Sequence, residues 1–167
     1  MANTPMTPSE TAWRGGVQAL ERRNYKESIS LFQQAIEQER QEGAKNPKMK
    51  LISYLGLALT LSQGKSEEGL KLCEQAVKRE FFDPDLYCNL GIVYLRHRMM
   101  APAFEAFQKG LNLKPGHVRI LDELEKYDRR GEPVFTFLPR GHLLNRMAGR
   151  VRYRLRVLFD GAAAQQT

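Results

Sequence analysis

One stretch of this chain, Pro84 to Pro115, alternates small and large residues in a way that two closely apposed helices satisfy. Tyr87, Leu90, Gly91 and Tyr94 fall on a first helix, Ala103, Phe107 and Gly110 on a second, and Pro115 stands just beyond. Small residues at Gly91, Ala103 and Gly110 let antiparallel helices approach, while Leu90, Tyr94 and Phe107 fill the space between them. The pattern occurs twice more. Leu55, Gly56 and Leu59 precede Gly69, Cys73 and Ala76; Gly16 and Ala19 precede Ser28, Phe32 and Ala35. Gly56 and Gly91 lie 35 residues apart, but Gly16 and Gly56 lie 40 apart, so the first unit has a longer second helix or a longer loop through Gly43–Pro47. Self-similarity at this period means stacked two-helix units, each too small to bury its apolar face alone.

A unit of about 34 residues with this spacing resembles the tetratricopeptide repeat. The resemblance covers Thr11 to Pro115 and implies an all-α, right-handed solenoid of antiparallel helix pairs, with three repeats and a capping helix. It also implies a binding role, because in that family the first helix of each repeat lines a concave groove for a partner. Carried over by register, the groove positions are Trp13 and Val17, then Ser53 and Leu57, then Cys88, Asn89, Ile92 and Arg96. This mostly apolar groove with a polar edge suits a helix or extended segment with apolar anchors. Trp13, the only tryptophan, is either such an anchor or packing beneath the first repeat. Asn89 either bonds the backbone of a bound peptide or caps a neighbouring loop. The branch of the family that holds chaperone tails clamps a carboxylate with Lys, Asn and Arg; Trp13, Val17, Cys88 and Ile92 stand at those positions, so such tails are not the expected ligand.

Local signals place helices at 9–22, 25–42, 48–63, 66–79, 84–97 and 100–113. Asp83-Pro84 is a start signal, with Asp as cap and Pro in the first turn. Leu113-Lys114-Pro115-Gly116 is a stop. A seventh helix, His117–Arg130, carries Val118, Leu121 and Leu124 at helical spacing and can cap the open end of the stack. Its acids Asp122, Glu123, Glu125 and Asp128 read as its solvated face. The expected segments are a disordered 1–8, a repeat domain with its cap over 9–130, an extended linker over 131–141, a basic amphipathic helix over 142–160 and a frayed tail over 161–167.

The net charge of +7 is informative once it is located. Residues 1–128 are nearly balanced, whereas residues 129–167 hold eight Arg, no Lys, and only Glu132 and Asp160 as acids. Arg146, Arg150, Arg152, Arg154 and Arg156 flank a stripe of Leu143, Leu144, Met147, Val151, Leu155 and Leu158. Four readings stay open for this helix. It packs its stripe on the solenoid with its arginines solvated, docks an acidic protein, lies on an anionic membrane, or neutralises phosphates on nucleic acid. Before it, Glu132-Pro133-Val134-Phe135-Thr136-Phe137-Leu138-Pro139 reads as extended, since proline disfavours helix in the residue before it. Leaving its phenylalanines in water costs about 2 kcal/mol each. That motivates a fold-back of Phe135–Pro139 into the groove or across the last helices, which hides the groove until a partner competes.

Catalytic signals are absent. His97, His117 and His142 have no second ligand at metal spacing, and Cys73 and Cys88 form no C-x-x-C pair. Gly64-Lys65-Ser66 echoes the end of a phosphate loop, but Leu59 stands where its first glycine belongs, so a helix–helix turn is expected. No cofactor, metal or small-molecule substrate is anticipated. Met1–Glu10 has neither a basic start nor an apolar run, and no stretch has the ~18 apolar residues of a membrane span. A reducing cytoplasm is the expected compartment. The sequence therefore favours a protein-binding scaffold or adaptor, with a nucleic-acid- or membrane-associated factor acting through the basic helix as the alternative.

Overall fold

A computed structural model describes residues 6–128, and side chains through Lys126. The linker over 131–141, the basic helix over 142–160 with its five arginines, the tail and the proposed masking segment lie outside the described residues. Seven helices follow in order: α1 (Pro8–Glu21), α2 (Tyr25–Gln41), α3 (Met49–Gln63), α4 (Glu67–Arg79), α5 (Pro84–Arg96), α6 (Met100–Leu113) and α7 (Val118–Asp128). Residues 6–123 belong to one compact unit. No strand occurs among the described residues.

Helix starts sit where side chains satisfy the free N–H groups of a first turn. Thr7 Oγ1 accepts from Glu10 N at 3.1 Å, Ser66 Oγ from Gly69 N at 3.1 Å, and Asp83 Oδ1 from Asp85 N at 2.8 Å. Pro8 and Pro84 occupy the first turns of α1 and α5, where a missing N–H costs nothing. Each repeat turns between its two helices through one left-handed residue: Arg23 (φ 61°), Gly64 (φ 83°) and Arg98 (φ 62°). Only the second repeat places glycine there, so Gly64-Lys65-Ser66 is a helix–helix turn. The longer spacing between the first two repeats is taken up by a loop after α2. Buried Glu39 fastens it, accepting from Lys48 N at 2.8 Å and pairing with Lys48 Nζ at 3.1 Å.

Helices pair as α1–α2, α3–α4 and α5–α6, and successive pairs stack through α2–α3, α3–α5 and α4–α5. In the first and third pairs a phenylalanine ring lies on the glycine of the opposite helix. A Cβ added at Gly16 would stand 2.6 Å from the Phe32 ring, and one at Gly91 would stand 2.3 Å from the Phe107 ring. Both rings are buried. The second pair has Cys73 at the corresponding place and closes further. A Cβ at Gly56 would stand 2.6 Å from the Gly69 carbonyl oxygen, and one at Gly69 would stand 2.5 Å from that of Gly56. Here backbone meets backbone. Gly110 is small for another reason: Ile120 of α7, fully buried, fills the notch, with its Cδ1 2.4 Å from where a Cβ would be.

The two cysteines belong to this core. Cys73 and Cys88 are both reduced and fully buried, and Cys73 Sγ donates to Ser53 O at 3.3 Å. Burial pushes the Cys73 thiol up to about 12, only partly offset by its hydrogen bonding at Ser53. A thiol in that state is a poor nucleophile. Both cysteines are therefore expected to resist Ellman's reagent in the native protein and to titrate fully in denaturant. Native labelling at the rate of free cysteine would mean that the second repeat opens readily.

Candidate functional site: the face of the odd-numbered helices

The odd-numbered helices stand side by side, and a connected set of polar side chains runs across α3, α5 and α7. Asp85, in the first turn of α5, is its hub. Its Oδ2 accepts from Lys50 Nζ at 2.8 Å, and its Oδ1 lies 3.0 Å from His117 Nε2 and 3.3 Å from Arg119 Nη1. Ile120 N lies 3.4 Å from His117 Nδ1, so that nitrogen faces the backbone while Nε2 faces Asp85. Arg119 Nη1 also donates to Tyr54 Oη at 2.8 Å, and Nη2 to Asn89 Oδ1 at 2.8 Å. Asn89 Nδ2 completes the chain by donating to Ser53 Oγ at 3.1 Å.

Aromatic rings back this wall. Tyr54 lies 5.7 Å from Phe32 and meets Trp13 edge to face at 6.4 Å, between centroids. A cation faces two of these rings: Lys50 Nζ is 5.5 Å from the Trp13 centroid, and Arg119 Cζ is 5.2 Å from that of Tyr54. Burial alone would raise the Asp85 carboxyl, but Lys50, Arg119 and the His117 hydrogen bond outweigh it and hold the carboxyl below the usual aspartate value. Burial drives the Tyr54 phenol well above the ordinary tyrosine range, against the pull of Arg119. One donor is left over: Trp13 Nε1 is buried without a hydrogen-bond partner.

The residues placed in the groove by register separate into two sets. Trp13, Val17 and Ile92 are half-buried and Arg96 is exposed. Ser53, Leu57, Cys88 and Asn89 have essentially no accessible surface. They sit within the stack because each odd helix lays one flank against its neighbour. Both ends of the Asn89 amide are engaged within the protein, with Ser53 and Arg119, so Asn89 supports the wall from behind rather than touching a ligand. Register reasoning missed Lys50, Tyr54, Asp85, His117 and Arg119. A signal for four of the wall residues exists: Lys50 and Asp85 stand six residues before the repeat glycines, and Tyr54 and Asn89 stand two before. Among the described residues no three His, Cys, Asp or Glu side chains gather as a metal site.

No family model matches the sequence, and no curated protein does. Solved structures do. The tetratricopeptide-repeat domain of Arabidopsis OM64 superposes with a TM-score of 0.55 over 73% of this chain and 95% of that one, at 16% identity. The first such domain of Spaghetti (RPAP3), solved with the HSP90 peptide SRMEEVD bound, gives a TM-score of 0.55 over 73% of this chain and 94% of that one, at 15% identity. At such identities the likeness speaks to the fold alone. Paired helices of matching length, small residues at their crossings and these superpositions agree: the chain folds as a tetratricopeptide-repeat solenoid.

Proposed function

We propose that the protein is an interaction scaffold that takes a segment of a partner protein along its odd-helix face. The observation that carries this reading is a set of half-buried apolar side chains on odd helices, Trp13 and Val17 on α1 and Ile92 on α5, that keep accessible surface. The polar groups of Asp85, Asn89 and Tyr54 are by contrast already engaged within the protein. Apolar anchors of an extended partner segment would cover Trp13, Val17 and Ile92. The HSP90 peptide of the Spaghetti domain is not the partner we propose. Trp13, Val17, Cys88 and Ile92 stand where clamp cations would be needed, and Cys88 has no surface to offer.

Affinity capture from native lysate tests the reading with the full chain, Trp13→Phe, Ile92→Glu and a chain ending at Arg130. Trp13→Phe keeps an aromatic side chain but removes part of the indole surface, and thermal melting checks that each variant folds. A partner recovered by the full and shortened chains but weakened about tenfold by either substitution, a loss of about 1.4 kcal/mol, supports the groove. Recovery indifferent to both substitutions excludes it. A partner lost only on shortening moves the function to the arginine-rich segment, and nuclease treatment then separates nucleic acid from protein.

A further inference from the structure

The sharpest departure from a sealed surface lies at the edge where odd helices start and even helices end. Phe81 and Phe82, adjacent in the short turn between α4 and α5, are 67% and 65% exposed and touch edge to face at 5.9 Å. Other exposed large apolar residues gather at the same edge. Because successive helices alternate in direction, this edge holds the starts of odd helices and the ends of even ones, and so it carries Leu113 and Val118. Short distances make it locally continuous. Pro84 O lies 3.4 Å from where a Cβ of Gly110 would be, one turn before Leu113. Asp85 joins the start of α5 to that of α3 through Lys50 at 2.8 Å and to His117, beside Val118, at 3.0 Å.

The charge of this edge points to its counterpart. Lys45, Lys78, Arg79 and Lys114 are exposed there and form no ion pair among the described residues. Of the nearby acids, Glu42 and Asp122 are exposed, whereas Glu80, Asp83 and Asp85 are partly buried, Asp83 capping α5 and Asp85 pairing with Lys50. Neighbouring aromatic side chains that protrude from a turn, bordered by unpaired cations, offer a partner protein no concavity to fill. They suit a soft, negatively charged interface into which rings insert and at which cations find phosphates. We infer that this edge docks the protein on an anionic lipid surface, with Phe81 and Phe82 entering the headgroup layer and Lys78, Arg79 and Lys114 facing lipid phosphate.

Cosedimentation of the full chain with phosphatidylcholine vesicles, with and without about 30% phosphatidylserine, tests this. Wild type is expected to bind the anionic vesicles and not the neutral ones, and to release in about 0.5 M salt. Phe81→Ser/Phe82→Ser should weaken binding about tenfold or more at an unchanged melting temperature, since both rings are exposed. Lys78→Glu/Arg79→Glu should do the same. Failure of wild type to bind either vesicle overturns the inference. So does binding that neither double variant reduces, which would assign lipid affinity to the arginine-rich segment. Self-association in gel filtration, abolished by Phe81→Ser/Phe82→Ser without lipid binding, would show a second copy to be the true occupant.

Discussion

Valine at Gly56 or Gly69 is expected to cost about 3 kcal/mol or more and to lower the melting temperature by roughly 10–15 °C. Glycine inside a helix is about 1 kcal/mol worse than alanine, so propensity alone favours replacing both. Sterics decide otherwise. The first added carbon at Gly56 meets the Gly69 carbonyl oxygen at 2.6 Å, and at Gly69 it meets the Gly56 oxygen at 2.5 Å and Thr60 Oγ1 at 2.3 Å. Backbone atoms do not swing aside as a side-chain tip does, so α3 and α4 must separate and expose Cys73. Gly15 provides the contrast within the same fold. A Cβ there reaches Leu31 Cδ1 at 3.4 Å, ordinary contact, so Gly15→Ala is expected to stabilise by about 0.5–1 kcal/mol. Thermal and urea unfolding of the three variants reads both signs. A neutral Gly56→Val would mean that the second pair does not close as described.

These glycines also show why the fold was legible in the chain. A helix pair needs a small residue at its crossing and a filler opposite it; the spacing from Gly16 to Phe32 recurs from Gly91 to Phe107, with Cys73 in the corresponding role for Gly56. Caps such as Thr7, Ser66 and Asp83 then set helix starts, and the expected boundaries lie within one or two residues of those observed, the end of α7 aside for its residues beyond the described ones. The polar wall was less legible. Register identifies equivalent positions but not which flank of an odd helix its neighbour will cover, so Ser53 and Cys88 were placed on a surface they do not reach. Lys50 and Asp85 occupy one repeat position with opposite charges, and Tyr54 and Asn89 another with different polar groups. Such pairs are related by complementarity across adjacent repeats rather than by likeness, and a search for repetition passes over them. Arg119 and His117 lie past the last recognisable copy, where no repeat signal points to them.

Asn89→Leu is the substitution expected to damage that wall most. It keeps the volume of a fully buried side chain but leaves Arg119 Nη2 without its acceptor and Ser53 Oγ without its donor, at a cost of about 2–3 kcal/mol. Arg119→Met should cost about 2 kcal/mol by the same reasoning, because Asn89 Oδ1 is then left unsatisfied within the stack. Since each change breaks the same hydrogen bond, the double variant should be less destabilised than the sum by about 1 kcal/mol. Strict additivity would remove the Asn89–Arg119 link from any part in stability. Asp85 gives an independent test through pH. Its folded carboxyl stands below the ordinary aspartate value, so its contribution is complete above the unfolded value and is lost as pH falls through the folded one. Wild type should therefore lose stability in acid more steeply than Asp85→Asn, with the two curves converging once Asp85 is protonated. Because Arg119 lies in α7 and His117 immediately precedes it, such results would make the start of the seventh helix a structural part of the polar wall, which then depends on side chains anchored from beyond the third repeat.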